Sequence, residues 1–355
     1  MKNNLEIDLH FASTLLEWHK VQNKREMPWK GEKDPYKVWV SEVILQQTRV
    51  DYGIQYYERF VTEFPNVESL ANAAETKVFK LWEGLGYYSR CKNLIASAKF
   101  IHEKLGGKFP DTYDSILELK GIGPYIASAI ASFAYNLPYA VLDGNVFRVL
   151  SRFFGLEYPI NSASGKKNFS EKATILLGSN PPAIYNQAIM DFGATVCKPF
   201  QPQCTECPLQ VNCFAFKLNR VESLPVKEKS IKKRKRFFNF LIVEYKNQYY
   251  IKKRTEKDIW QNLHQFLLIE TKSVLKKSQL VENEEFKRIF SSITYEIQSE
   301  STISKQILSH QIISGRFFHL KIKEPLRSLD NYQLISTRQL QSLAFPKFIT
   351  AYLKD

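Results

Sequence analysis

Leu119-Lys120-Gly121-Ile122-Gly123-Pro124-Tyr125-Ile126-Ala127 leads into an apolar helical run that ends at Val141-Leu142-Asp143-Gly144-Asn145. The rest of the chain is organised around this stretch. Two glycines flanking one aliphatic residue predict a tight hairpin between helices, because glycine tolerates positive φ and Ile122 can tuck inward. Backbone N–H groups of the hairpin and of the next helix start then point outward, where a phosphate oxygen could accept them. A lone Gly-x-Gly is weak evidence, since many helix–helix turns carry one. An aspartate about twenty residues after Gly123 makes it a candidate for chemistry as well as binding.

Composition bounds the partners. With 355 residues the chain is long enough for two domains, each with its own core. A net charge of +14 favours a polyanionic partner, nucleic acid or an anionic membrane surface, although a solvated lysine-rich surface gives the same sum. The start, Met1 to His10, is polar and lacks the apolar segment of a signal peptide. No apolar run approaches the length of a bilayer span. Five cysteines, four of them crowded between Cys197 and Cys213, argue against a secreted disulfide framework. A soluble, cytoplasmic protein is expected, nucleoid-associated if bacterial. There is no internal repeat.

A helical spacing of apolar residues covers 5–24, and after Met27-Pro28-Trp29 a second helix begins at Pro35, whose missing N–H suits a helix start. Glu42 is the odd residue of that helix, because Val38, Trp39, Leu45 and Gln46 are its i±3 and i±4 neighbours. It is either at the solvent edge of the apolar stripe or partly desolvated. Desolvation would raise its pKa and suit it to general acid work. Further helices are predicted near 53–63, 68–82, 89–105 and 112–118. Between them, Gly84-Leu85-Gly86-Tyr87-Tyr88 suits a tight turn whose tyrosines could stack on bases or lie in the core. Cys91 reads as a small core residue.

The remaining cysteines are spaced Cys197-x6-Cys204-x2-Cys207-x5-Cys213, which points to metal. Zinc ribbons usually present paired Cys-x2-Cys knuckles. Only one such pair is present, so an iron–sulfur cluster is favoured over zinc. Residues 227–236 hold seven basic residues and one acid with no apolar period, a linker that could follow a DNA backbone or simply tether. From Phe237 strand-like runs dominate, at 237–244, 248–253, 266–271, 306–313 and 317–322. Helical pieces are expected near 283–290, 337–342 and 346–354, giving an α+β domain.

In order and spacing, these motifs resemble the adenine DNA glycosylases of the MutY family, which remove adenine mispaired with 8-oxoguanine. The likeness covers nearly the whole chain. It is closest in Pro28-Trp29, Pro35–Trp39, Ser41-Glu42-Val43, Leu45–Thr48, Trp82–Arg90, Leu142–Val146 and the cysteine spacing. It implies a mostly α helix-hairpin-helix glycosylase domain over 1–220, including an iron–sulfur loop at 197–213, and a basic interdomain linker at 221–236. An α+β MutT-like (Nudix-fold) domain at 237–355 would follow, helping to recognise 8-oxoguanine. The related bifunctional endonuclease III branch carries a Schiff-base lysine two residues after the second hairpin glycine. Tyr125 stands there, so a monofunctional enzyme is implied.

The resemblance also assigns roles. Glu42 would protonate adenine N7, and an ionised Asp143 would stabilise the oxocarbenium-like sugar, oriented by Tyr125 and Asn145. Arg25, Trp29 and Gln187 would line the pocket for a flipped-out adenine. Gln47 and Tyr87 would fill the gap in the duplex, Thr48 and Leu85 would approach 8-oxoguanine, and Gly121, Ile122 and Gly123 would hold phosphate. Cys197, Cys204, Cys207 and Cys213 would bind a 4Fe-4S cluster. The implied partner is double-stranded DNA carrying 8-oxoguanine:A or G:A, bound by a monomer with no membrane. In the C-terminal domain the Nudix box is missing, and the family's Phe-Ser-His loop reads Leu308-Ser309-His310, with Gln306 where histidine is frequent. Ser309 and His310 remain its hydrogen-bonding groups.

Overall fold

The computed structural model describes residues 2–228, 233–326, 329 and 331–353, so Lys229 to Lys232 of the basic run lie outside the described residues. The chain divides into two compact units, Met1–Asn72 with Asn93–Lys229 and Ala73–Lys92 with Ser230–Asp355. Among the described residues no helix is long and apolar enough to cross a membrane.

Helices α1 (Lys2–Val21), α2 (Pro35–Leu45), α3 (Val50–Glu63) and α4 (Val67–Ala71) open the chain, followed by α5 (Glu75–Leu81), α6 (Tyr88–Lys104) and α7 (Tyr113–Leu117). The helix expected over 68–82 is therefore two, broken where Asn72 caps α4 and Ala74 starts α5. Next come α8 (Pro124–Phe133), α9 (Gly144–Phe154), α10 (Ala163–Leu177), α11 (Pro182–Thr195) and the short α12 (Phe214–Lys217). Phe11, Leu15 and Trp18 of α1 pack with Leu150 and Phe153 of α9, Phe169 of α10 and Ile189 and Phe192 of α11 in one buried cluster. That cluster holds α9 and α11 in place.

Local chemistry fixes the helix starts that matter. Asp34 caps α2 by accepting the Tyr36 N–H at 2.9 Å, with Pro35 in the first turn. Asp143 caps α9 by accepting the N–H groups of Asn145 and Val146. In the hairpin, Gly121 has φ +83°, and a Cβ there would meet the Asn93 side chain at 2.6 Å, so only glycine fits. Ile122 turns inward and is buried.

The second unit is a mixed sheet of seven strands: β1 (Arg234–Tyr245), β2 (Gln248–Lys253), β3 (His264–Thr271), β4 (Tyr295–Glu300), β5 (Ser304–Ile307), β6 (Gln311–Ile322) and β7 (Gln333–Ser336). Central β1 runs parallel to β6 and antiparallel to β3. Alternation splits its side chains between the faces. Leu241 and Val243 join Phe318 and Leu320 over Phe286 and Phe290 of α14 (Glu284–Phe290), which follows α13 (Lys277–Glu282). On the opposite face Phe240 stacks on Phe317, and both meet Phe348 of α16 (Lys347–Tyr352), beyond the short α15 (Thr337–Leu340).

Two sequence expectations change here. The run 306–313 is a hairpin, not one strand, turning where Leu308 N–H donates to the Gln311 carbonyl at 2.8 Å. Strand β1 begins at Arg234, inside the stretch read as linker. Arg236 is not available to phosphate, because it is buried and forks onto Asp258 and Glu270. Strands β4 and β7 were not expected. β4 is largely exposed and β7 is only four residues long, so neither has enough apolar residues to show a period.

Candidate active site

In the helical unit a cavity of about 190 Å³ is lined by Arg25, Trp29, Glu42, Thr48, Tyr125, Asp143, Asn145 and Gln187, among others. Residues distant in sequence meet there because α2, α8 and the start of α9 converge. Glu42 is only 5% exposed. The Tyr125 hydroxyl donates to its Oε2 at 2.6 Å. Burial pushes the Glu42 carboxyl up to about 7, the Tyr125 hydrogen bond lowers it, and the charge of Asp143 raises it. A carboxyl in that range can hold and release a proton near neutrality.

Asp143 is held differently. Its Oδ1 accepts the backbone N–H groups of Asn145 (2.9 Å) and Val146 (2.8 Å), and its Oδ2 accepts Asn145 Nδ2 at 2.7 Å. Burial raises its pKa, while those hydrogen bonds and the Arg148 charge oppose the rise. Every donor aimed at Asp143 favours its ionised form, and it sits at the positive end of α9. The two carboxyls are thus held differently, Glu42 by one hydroxyl and Asp143 by three N–H donors.

Two arginines that the sequence reading passed over tie this site to the cysteine loop. Arg148, buried one turn into α9, donates to Asn145 Oδ1 (2.9 Å), the Gly193 carbonyl (2.6 Å) and the Cys197 carbonyl (2.7 Å). Arg152 donates to the Lys198 carbonyl at 2.8 Å and lies 3.5 Å from Cys197 Sγ. The one signal in the sequence is a pair of arginines at i and i+4 in a single helix. Gly193 permits the contact, because a Cβ there would meet Asn145 Cβ at 2.6 Å. Asp191 was also passed over. It is fully buried and pairs with Arg25 at 2.8 Å, fixing that cation at the pocket wall.

Cys197, Cys207 and Cys213 pack against the core of this unit, and none of the four loop cysteines is in a disulfide. Cys204, Cys207 and Cys213 lie near enough to Cys197 for its charge to raise their pKa values beyond what burial does, Cys207 reaching about 12. Among the described residues no three His, Cys, Asp or Glu side chains converge tightly enough for a single ion. Four cysteines on one loop, three of them against the core, are a donor set that fits an iron–sulfur cluster. Cys91 is separate and buried in the core.

Of the other predicted residues, Gln47 is exposed with φ +56°, just after α2. Leu85, Tyr87, Ser309 and His310 belong to the other unit. There Leu85 is buried, whereas Tyr87 is 43% exposed and its hydroxyl is 2.9 Å from Ser309 Oγ. Ser309 and His310 are exposed in the turn between β5 and β6.

Residues 40–172 match the HhH-GPD superfamily base excision DNA repair protein family, and residues 239–355 match the NUDIX domain. A thermostable thymine-DNA glycosylase has a similar fold, with a TM-score of 0.56 at 26% identity, covering 61% of this chain and 99% of that one. Fold and family together define a helix-hairpin-helix DNA glycosylase of base excision repair that carries a Nudix-like C-terminal domain.

The chain is 35% identical over 285 residues to the adenine DNA glycosylase of Buchnera aphidicola subsp. Schizaphis graminum (strain Sg), covering 79% of this chain and 82% of that relative. It is 41% identical over 215 residues to the adenine DNA glycosylase of Mus musculus, covering 58% of this chain and 42% of the relative. The protein belongs to the adenine DNA glycosylase family, and its activity is removal of adenine from DNA.

Proposed function

We propose that the enzyme hydrolyses the N-glycosidic bond of adenine mispaired with 8-oxoguanine or guanine in duplex DNA, without cutting the strand. The observation that carries this reading is the meeting of Glu42, Tyr125 and Asp143 in one cavity. Protonated Glu42 gives its proton to N7 of a flipped-out adenine, and the C1′–N9 bond breaks with its electron pair leaving on the base. Asp143 faces the cationic sugar that remains. Water then adds to C1′ and returns a proton to Glu42.

Asn145 orients Asp143, and Arg25, Trp29 and Gln187 form the wall that holds the base. No lysine is among the described residues lining the cavity. Without an amine to form a Schiff base, strand cleavage does not follow. Gln47 and Tyr87 fill the vacated position in the duplex, Thr48 and Leu85 approach the opposite base, and the Gly121–Gly123 hairpin takes a phosphate. Ser309 and His310 read 8-oxoguanine from the C-terminal domain. The same reading keeps a glycosylase domain at 1–220 and a C-terminal domain ending at 355, with a linker from 221 that stops where β1 begins at Arg234, and treats the enzyme as a monomer.

Cys197, Cys204, Cys207 and Cys213 would hold a 4Fe-4S cluster, which supplies a covalent staple fastening the loop 197–213 against α9. Arg148 carries that fastening to Asn145 through its own hydrogen bonds, and Arg152 adds a bond to the Lys198 carbonyl in the loop.

Single-turnover incubation with 8-oxoguanine:A, G:A, 8-oxoguanine:C and thymine glycol duplexes, with and without alkali, tests the reading. Adenine release with strand breaks mainly after alkali supports it. Alkali-independent nicking at thymine glycol would move the enzyme to the lyase branch.

A further inference from the structure

The Gly84–Tyr88 turn is held by three consecutive residues of its own compact unit, Leu343-Ala344-Phe345, whose backbone groups are shared alternately between two neighbours. Lys80 Nζ donates to the Leu343 carbonyl (2.9 Å), Phe345 N–H donates to Glu83 Oε1 (2.8 Å), and the Tyr88 hydroxyl donates to the Phe345 carbonyl (3.3 Å). Between them, the Ala344 carbonyl accepts the backbone N–H of His264, the first residue of β3, at 2.8 Å. Lys80 also pairs with Glu83 at 2.8 Å, so one ion pair grips both ends of the strap. The Phe345 ring stacks on Phe266 in the sheet.

What the strap holds is strained. Gly84, Gly86 and Tyr87 all have positive φ, and for Tyr87, at +47°, that conformation has a steric cost. A tyrosine kept 43% exposed in such a turn needs its flanks fixed.

We propose that Glu83 is a positioning residue: through the 343–345 strap it locks the Gly84–Tyr88 turn to the sheet and so presents Tyr87 to DNA. The part concerning DNA rests on the reading of Tyr87 given above.

Two measurements keep the strap and that reading apart. Amide hydrogen exchange on the free full-length protein tests the strap alone. Glu83→Ala should speed exchange at Gly84, Leu85 and Arg90, while Glu83→Gln, which keeps an acceptor for Phe345 N–H, should restore it. Unchanged exchange in a folded Glu83→Ala protein overturns the proposal.

The second measurement is affinity for a duplex with 2′-fluoro-2′-deoxyadenosine, slow to cleave, opposite 8-oxoguanine. Glu83→Ala should weaken binding about tenfold, the scale of one hydrogen bond to a charged group. The double variant with Tyr87→Ala should be no weaker than Tyr87→Ala, because Glu83 acts through Tyr87. Additive losses overturn the proposal. If Tyr87→Ala alone leaves affinity unchanged, the reading of Tyr87 fails and the exchange result decides the strap. Lys80→Ala should reproduce the faster exchange from the other side of the ion pair.

Discussion

Tyr125 donates to Glu42 Oε2 at 2.6 Å, and this hydrogen bond opposes the burial that lifts the Glu42 carboxyl to about 7. A hydroxyl donating to the ionised form stabilises it. Tyr125→Phe should therefore let Glu42 titrate still higher. The alkaline limb of the single-turnover pH–rate profile for adenine release should move to higher pH. An unmoved or acid-shifted limb would show that Tyr125 does not set the proton on Glu42.

Glu42→Gln should slow adenine release by about a thousandfold, within the range of a general acid, while duplex affinity holds. Its stability has a sign of its own. Below about pH 4.5 the carboxyl is protonated folded or unfolded. As pH rises from there to about 7 the unfolded chain ionises first, so wild-type stability is progressively lost. The Tm advantage of Glu42→Gln should thus grow across that window and level off above it. At ~1.4 kcal/mol per pKa unit it reaches about 3.5 kcal/mol at most. An advantage independent of pH would count against a buried, titrating Glu42.

Arg148→Ala strands three acceptors, the buried Gly193 carbonyl and the partly buried Cys197 carbonyl and Asn145 Oδ1. A loss of about 3 kcal/mol is expected, together with slower adenine release, because Asn145 no longer holds Asp143. Thermal melting, single-turnover kinetics and iron content would each be followed. Unchanged kinetics beside a lowered Tm would confine Arg148 to a structural role.

The four-cysteine loop should bring about four iron atoms and acid-labile sulfide per chain. Cys207→Ser should lose both and lower the Tm. Elemental analysis finding one zinc per chain and no sulfide would replace the cluster with a single-ion site.

The helical unit was legible because its cues are local. Gly121 and Gly123 announce the hairpin, Pro35 a helix start, and the spacing of Asp143 after the hairpin a candidate for chemistry. Glu42 stood out as a carboxyl on an apolar face. Arg148, Arg152 and Asp191 did not, since their meaning lies in partners 45 to 166 residues away. In the sheet, the alternation in β1 to β3 could be read, whereas the exposed β4 and the four-residue β7 have no apolar period to detect. Arg236 resembled linker chemistry because nothing nearby in sequence reveals Asp258 and Glu270 as its partners.

The strap has a consequence in the order of synthesis. Phe345 is made 257 residues after Tyr88, and folding during translation proceeds from the N-terminus. The residues around the adenine cavity all leave the ribosome before any residue of the sheet. The Gly84–Tyr88 turn leaves early too, yet waits for its clamp until Leu343 to Phe345 appear. A nascent chain therefore has its pocket residues in hand well before the turn can be fastened, and a chain halted in between would carry the one without the other.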